Sequence, residues 1–327
     1  MSRVMPDGEP IRFRIGIVGH GFVGQAVEYA FTNPMVDFTF YDPKYNNSLE
    51  SLSLTSPKDT PTCFFICAPT PSNDDGSVNS SIVEESVLTC LNQTESLVIV
   101  KSTITPDAID RIYQQITKEQ VDRFAYNPEF LTEKNAKADF VSAKFHVVGG
   151  TPQSVMETID IYEIFSACES NDYHRMSAYE ASFVKYTINS FLSTKITFFN
   201  QLYDLVNMYG CNYNTIVRAA GKDERVGMGH TRVPGFDGKR GFGGACLPKD
   251  TNAFLQFSSH IDENGFEHSF DLLERVLDIN SAYRVQYDLD EREKVNNITF
   301  VDFGGKNVDN GQTEEEQQDQ GDSDTLH

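Results

Sequence analysis

No run of about eighteen apolar residues occurs in this chain, so no segment reads as a membrane-spanning helix. Residues 1–10 lack the apolar centre of a signal peptide and are read as a disordered N-terminus. Positive charge is scarce: 27 Lys and Arg stand against 48 Asp and Glu, a net charge of −21 over 327 residues. That balance argues against a nucleic-acid partner and against an anionic membrane surface. Part of the imbalance is local. Residues 312–324 carry Glu314, Glu315, Glu316, Asp319, Asp322 and Asp324 with no apolar residue. Such a segment cannot bury enough surface to offset its ordering entropy and is expected to be a disordered tail. Cysteine is sparse and scattered, mostly inside apolar runs. Cys63 and Cys67 flank Phe64-Phe65-Ile66 in an expected strand and form no C-x-x-C knuckle, so neither a metal site nor a disulfide framework is expected. The chain reads as reduced and cytoplasmic.

Short apolar runs at 15–18, 38–41, 63–68, 97–100, 124–126 and 145–148 read as buried strands. Helical patterns lie between them at 24–31, 80–91, 107–115 and 152–165. Strands alternating with helices predict an α/β fold, a doubly wound parallel sheet of Rossmann type covered on both faces. From Ser177 onward, Phe183, Val184, Ile188, Phe191, Leu192 and Ile196 open a helical pattern roughly 30 residues long, longer than an ordinary globular helix. It suggests a connector between domains or a subunit-packing element. Shorter helices are expected at 214–220, 250–257 and 269–287, and a last strand at 298–301. The division that follows is a dinucleotide-binding domain at 11–176, a long helix with an all-helical central domain at 177–290, and a remnant strand with the acidic tail at 291–327.

Gly19-His20-Gly21-Phe22-Val23-Gly24 is a G-x-G-x-x-G that follows an expected strand and opens an expected helix. The pattern is weak alone; in this context the glycines allow a tight turn and close approach of a pyrophosphate, which the helix N-terminus can bind. Asp42 closes the second strand about 20 residues on, where a carboxylate accepts from a ribose 2′-hydroxyl and repels a 2′-phosphate. NAD is therefore expected over NADP, a preference that Lys44 slightly weakens. His20 is read as a solvated loop residue.

Three further groups follow strands, where a doubly wound sheet collects its ligands: Ala68-Pro69-Thr70-Pro71, Lys101-Ser102-Thr103, and Asn127-Pro128-Glu129-Phe130-Leu131-Thr132-Glu133. Each alone is compatible with ordinary turn chemistry. Lys185 and Asn189 share one face of the long helix, although a lone helical lysine is usually solvated. Gly243-Gly244-Ala245-Cys246-Leu247-Pro248-Lys249-Asp250 sets a single cysteine just after a glycine pair and just before a cation. A thiol there can be held as a thiolate nucleophile, or can be a buried structural cysteine.

Taken together these residues resemble the UDP-glucose/GDP-mannose dehydrogenase family. The resemblance runs from residue 14 to about 284, through the glycine turn, Lys-Ser-Thr, Asn-Pro-Glu-Phe-Leu-Thr-Glu, residues 180–200, Asp223-Glu224-Arg225-Val226-Gly227 and the cysteine segment. It implies NAD as cofactor, bound by Gly19, Gly21, Phe22, Val23, Gly24, Asp42, Lys44, Thr70, Thr103, Glu133 and Lys249. It also implies oxidation of a sugar-nucleotide C6 alcohol to the acid through a thiohemiacetal and thioester on Cys246. Lys185 and Asn189 would hold the oxyanion, with Glu133, Thr103 and Asp250 positioning water and moving protons, a role shared by Glu129. Glu129, Phe130, Leu131, Lys185, Asn189 and Gly243 would contact substrate, and Arg225 would reach the neighbouring subunit's site in a homodimer built across the long helix. UDP-glucose is the first substrate implied, with GDP-mannose or a UDP-amino sugar as alternatives; a non-catalytic NAD-binding protein is the reading from another class. Family members carry a third domain of roughly 100 residues over the substrate's nucleotide, of which only the expected strand at 298–301 and Lys306 are similar here.

Overall fold

The computed structural model describes residues 12–54, 56, 59–259 and 269–300; the expected disordered N-terminus and acidic tail lie outside them. The chain alternates β1 (Phe13–Val18), α1 (Phe22–Phe31), β2 (Val36–Tyr41), β3 (Cys63–Ile66), α2 (Ser81–Gln93), β4 (Leu97–Val100), α3 (Pro106–Tyr113), the short α4 (Lys118–Val121), β5 (Phe124–Tyr126), α5 (Ala136–Val141), β6 (His146–Gly150), α6 (Pro152–Phe165) and β7 (Tyr173–Met176). All seven strands form one sheet in the order β2-β1-β3-β4-β5-β6-β7. Every residue of β3 and β4 is buried, because alternate side chains enter cores on opposite faces. Phe64 and Ile66 pack with α2 and α3 on one face, while Cys63 and Phe65 pack with α1, α5 and α6 on the other. Two covered faces are what near-continuous apolar strands require. Since β1 is flanked by β2 on one side and β3 on the other, the first crossover leaves β1 in one direction and the second runs back past it to the other side. The crevice at the carboxyl ends of β1 and β3 is therefore the place for a ligand.

The 31-residue helix α7 (Ala178–Met208) follows β7 and starts at a capping box in which Ser177 and Glu180 satisfy each other's backbone N–H groups. At 1.5 Å per residue it is about 46 Å long. Its first turns pack into the sheet's core through Ala178 and Ala181. Further along it packs against α8 (Tyr213–Ala220), α9 (Leu247–Ser258) and α10 (Asp271–Arg284), and α11 (Glu291–Val295) is joined to α10 through Glu293 and Arg284. Helix α9 is seated on α7 by Tyr186 stacked on Phe254 and by a 2.7 Å hydrogen bond between the hydroxyls of Ser193 and Thr251. Away from α9, α7 leaves Phe191, Phe198, Leu205 and Met208 exposed in one stripe, bordered by the part-exposed Phe183, whose ring meets Phe254 and Phe257 of α9 edge-on. No helix among the described residues is long and apolar enough to cross a membrane.

Several expectations need correction. The sheet is not wholly parallel: β6 runs antiparallel to β5. Strand β7 was not expected, because a half-exposed Tyr-His-Arg-Met edge carries no apolar run. Residues 298–300 form no strand. They pair with neither edge of the sheet, and the chain just before them docks on Ser72, whose N–H donates to the Asn296 carbonyl. Val301 and Lys306 lie outside the described residues. His20 is buried rather than solvated, packed on Phe40 and Tyr45 and hydrogen-bonded to Glu28 and the Tyr45 hydroxyl.

Candidate active site

The glycine turn lies at the carboxyl end of β1. Gly19 has φ +83°, and a Cβ on Gly24 would lie 2.3 Å from the Gly19 carbonyl oxygen, so turn and helix touch only because both residues lack side chains. Nothing lies within 4 Å of where a Gly21 Cβ would be. Gly21 is the N-cap of α1 and supplies no side-chain cap, which leaves the first N–H groups of the helix for a ligand. Phe22 and Val23 form the first turn. Asp42, at the tip of β2, accepts from the backbone N–H groups of His20 (2.7 Å) and Lys44 (2.8 Å). Burial works against its charge, but these N–H groups outweigh it and hold Asp42 below the usual carboxylate range. An ionised acceptor beside an open helix N-terminus fits the adenosine ribose and pyrophosphate of NAD.

Opposite lies the thiol. Cys246 is the N-cap of α9, and Pro248 in the first turn suits a helix start. Lys249 and Asp250 are both buried and joined at 2.6 Å. The other Asp250 oxygen accepts from Asn189 Nδ2 at 2.6 Å, and Lys249 Nζ donates to Thr70 Oγ1 at 3.4 Å. One turn below Asn189, Lys185 is only 2% exposed and donates to the Glu129 carbonyl at 2.5 Å and its carboxylate at 3.4 Å. The expectation of a solvated lysine does not hold. Burial alone would lower Lys185, but Glu129, Asp250 and Cys246 reverse this and raise it above the ordinary lysine value. Its ammonium also lies 5.4 Å from the Phe130 ring centre, and the Leu131 N–H donates to Glu129 Oε2 at 2.6 Å.

The surroundings of the thiol favour its protonated form. Burial, then Asp250 and Glu129, push Cys246 up to about 12 against the opposing pull of Lys185 and Lys249. Each cation is already paired with a carboxylate, and those carboxylates with burial outweigh its pull on the thiol. Cys246 rests as a thiol.

The structure thus gathers Cys246, Lys185, Asn189, Glu129, Asp250, Lys249 and Thr70. Thr103 is buried just past β4. Glu133 opens a turn at Glu133–Asn135, and its side chain lies outside the described residues. Gly243 lies in the cysteine loop. Arg225 does not join this group within the chain: its side chain is 89% exposed and paired with Asp223. Residues not singled out from the sequence support the site from behind. Asn127 Oδ1 accepts from Lys101 Nζ (2.9 Å) and the Tyr162 hydroxyl (2.7 Å), fixing the start of the Glu129 loop. Lys101 stood in a noted motif, but nothing in the local pattern points to Tyr162. No group of three or more His, Cys, Asp or Glu able to hold a metal occurs among the described residues.

A dinucleotide-type glycine turn together with a half-buried thiol beside buried lysines and carboxylates defines a class: two-part oxidoreductases built on a Rossmann unit with a helical partner. Two domain descriptions match the chain, the NAD binding domain of the UDP-glucose/GDP-mannose dehydrogenase family over residues 44–166 and its central domain over 179–282. A UDP-glucose 6-dehydrogenase of Rickettsia bellii is 31% identical over 251 residues, covering 75% of this chain and 54% of its own length. The UDP-glucose 6-dehydrogenase YwqF of Bacillus subtilis is 30% identical over 223 residues, covering 66% and 48% respectively. The solved UDP-glucose dehydrogenase of Pyrobaculum islandicum superposes with a TM-score of 0.65 at 26% identity, over 87% of this chain and 72% of that one. The chain belongs to the UDP-glucose/GDP-mannose dehydrogenase family. It spans about half the length of the curated relatives it matches.

Proposed function

We propose that this chain carries the NAD-dependent oxidation of a nucleotide sugar at C6, with UDP-glucose to UDP-glucuronate as its reaction. One observation carries the reading: Cys246 is coupled electrostatically to Asp250, Glu129, Lys185 and Lys249, with Asp250 held by Asn189, and Lys249 reaches Thr70 just past the Cys67–Ala68 backbone on which Gly19 rests. The balance is one alcohol, two NAD and one water giving one carboxylate, two NADH and three protons. NAD, when bound on the glycine turn and Asp42, accepts the hydride at each oxidation.

The chain's own residues do the rest. Because Cys246 rests protonated, its addition to the C6 aldehyde moves the thiol proton to the aldehyde oxygen. Asp250, held by Asn189 and Lys249, is placed to carry it. Lys185 and Asn189 stabilise the oxyanion of that addition and of the later hydrolysis. The second oxidation leaves a thioester on Cys246, and water releases the acid and restores the thiol. Glu129, Glu133 and Thr103 orient that water and take up its proton, and the backbone of Phe130 and Leu131 with Gly243 contacts the substrate. The exposed stripe of Phe191, Phe198 and Leu205 supports a homodimer across α7, which would bring Arg225 to the partner's site. The domain division at 176/177 belongs to the same reading.

The test is NADH formation with UDP-glucose, GDP-mannose and UDP-N-acetylamino sugars, wild type beside Cys246→Ala. UDP-glucose turnover lost in the variant is expected. Turnover with only another sugar would change the substrate, and NAD binding without turnover on any of them would overturn the assignment. Arg225→Ala should lower activity in a dimer; a monomeric mass in solution with Arg225→Ala unaffected would refute the shared site.

A further inference from the structure

Behind the cysteine loop sits a buried ion pair that the proposed chemistry does not use. Arg284, at the end of α10, is 1% exposed and Glu293 of α11 is 0% exposed, and they meet at 2.6 Å. The same Glu293 oxygen accepts from the Gly244 N–H at 3.1 Å, while its other oxygen accepts from the Asp290 N–H at 2.9 Å. A Cβ on Gly243 would lie 2.2 Å from Arg284 Nη2 and 2.4 Å from Glu293 Oε1. The loop therefore rests directly on the pair. Upstream, Asn280 clasps Phe242 by accepting its N–H at 2.6 Å and donating to its carbonyl at 2.9 Å. Three residues beyond Glu293, the chain crosses to the other wall of the cleft: the Asn296 carbonyl accepts from the Ser72 N–H (3.1 Å) and Asn297 Nδ2 donates to the Ser72 carbonyl (3.2 Å). Ser72 lies just past Thr70, which touches Lys249. The segment 290–297 thus ties the thiol loop on one wall to the Thr70 loop on the other.

We infer that Glu293 is a positioning residue for Cys246, its carboxylate holding the Gly244 N–H so that the thiol loop keeps one register across the cleft. The inference rests on the reading of Cys246 as the reactive thiol. Gly244 has φ +81°, a conformation that a free loop would readily leave. A site loosened by even about 1 Å loses much of its rate.

Glu293→Ala removes the acceptor. Glu293→Gln keeps an oxygen for Gly244 and loses the bond to the Asp290 N–H and the charge opposite Arg284. A merely structural role would show in both variants alike. The expected result separates them: Glu293→Ala is alkylated at Cys246 by iodoacetamide at least tenfold faster and turns over UDP-glucose at least tenfold slower, with KM and NAD affinity unchanged. Glu293→Gln stays within twofold on both measures despite a lower Tm. If Glu293→Ala fails to fold because the buried Arg284 keeps only its Asp237 partner, Arg284→Met/Glu293→Met removes both charges of the Arg284–Glu293 pair and the acceptor together and should reproduce its behaviour. Equal behaviour of the Ala and Gln variants, or an NAD affinity that falls with the rate, overturns the inference. The alkylation contrast in a chain with no turnover on any nucleotide sugar would leave the positioning intact and refute the proposed function instead.

Discussion

At neutral pH, Cys246 should react with iodoacetamide about 100-fold more slowly than an ordinary free thiol. The figure follows from its environment. A free thiol near 8.5 is about 3% thiolate at pH 7, whereas one near 12 is about 0.001% thiolate, a deficit of about 3,000-fold. The more basic thiolate is intrinsically more nucleophilic, which returns about 40-fold at a Brønsted slope near 0.45. The assay is peptide-resolved mass spectrometry after timed alkylation, with the exposed Cys211 replaced by serine. Between pH 7 and 10 the rate should climb about tenfold per unit without a plateau, since burial pushes Cys246 up to about 12. Asp250→Asn should speed the reaction, because Asp250 is the largest charge opposing the thiolate. A plateau below pH 9, or slower alkylation in Asp250→Asn, would refute the reasoning.

Three other outcomes follow from the same geometry. Asp42→Ala removes a charged acceptor for the ribose and should weaken NAD binding by about 10- to 100-fold, at about 1.5–3 kcal/mol for such a bond, while improving NADP relative to NAD; calorimetric titration of both checks it. Lys185→Met leaves the buried Glu129 carboxylate without its partner and should cost about 3–5 kcal/mol in urea unfolding, a loss that Lys185→Met/Glu129→Gln should largely restore. Burial lowers Lys101 to about 8. Between that value and the ordinary lysine range the unfolded chain binds the proton and the folded one does not, so this residue makes stability rise with pH from about 8 to 10.4, by about 3 kcal/mol. Buried cysteines and tyrosines pull the other way, so the effect is read as the difference between wild type and Lys101→Met; no difference in slope would contradict it.

The inner strands β3 and β4 were legible because both of their faces are buried, which leaves unbroken apolar runs such as Phe64-Phe65-Ile66, and the edge strand β2 was legible from Phe38, Phe40 and Tyr41 although it is only partly buried. Strand β7 was not, since an edge strand needs no such run. Residues 298–300 misled for the opposite reason: an apolar run specifies a strand only where the chain brings it alongside a sheet edge, and here the preceding residues dock on Ser72 instead. In the site, Lys185 and Asn189 were legible as one helix face, but that face's burial against Glu129 and Asp250 depends on pairs 56 and 61 residues apart. The same holds for the bond from Glu293 to Gly244, across 49 residues. The resting state of the thiol stayed open between thiolate and buried thiol, because local sequence does not show that Lys185 and Lys249 are each paired with a carboxylate.

The account turns on Cys246 carrying the acyl group. Protein mixed with NAD and UDP-glucose, quenched in acid within the first turnovers and digested, should yield a Cys246 peptide heavier by the sugar-nucleotide acyl group, and Lys185→Ala should accumulate it. Steady formation of two NADH per sugar with Cys246 unmodified at every quench time, or by Cys246→Ala at the wild-type rate, would contradict it.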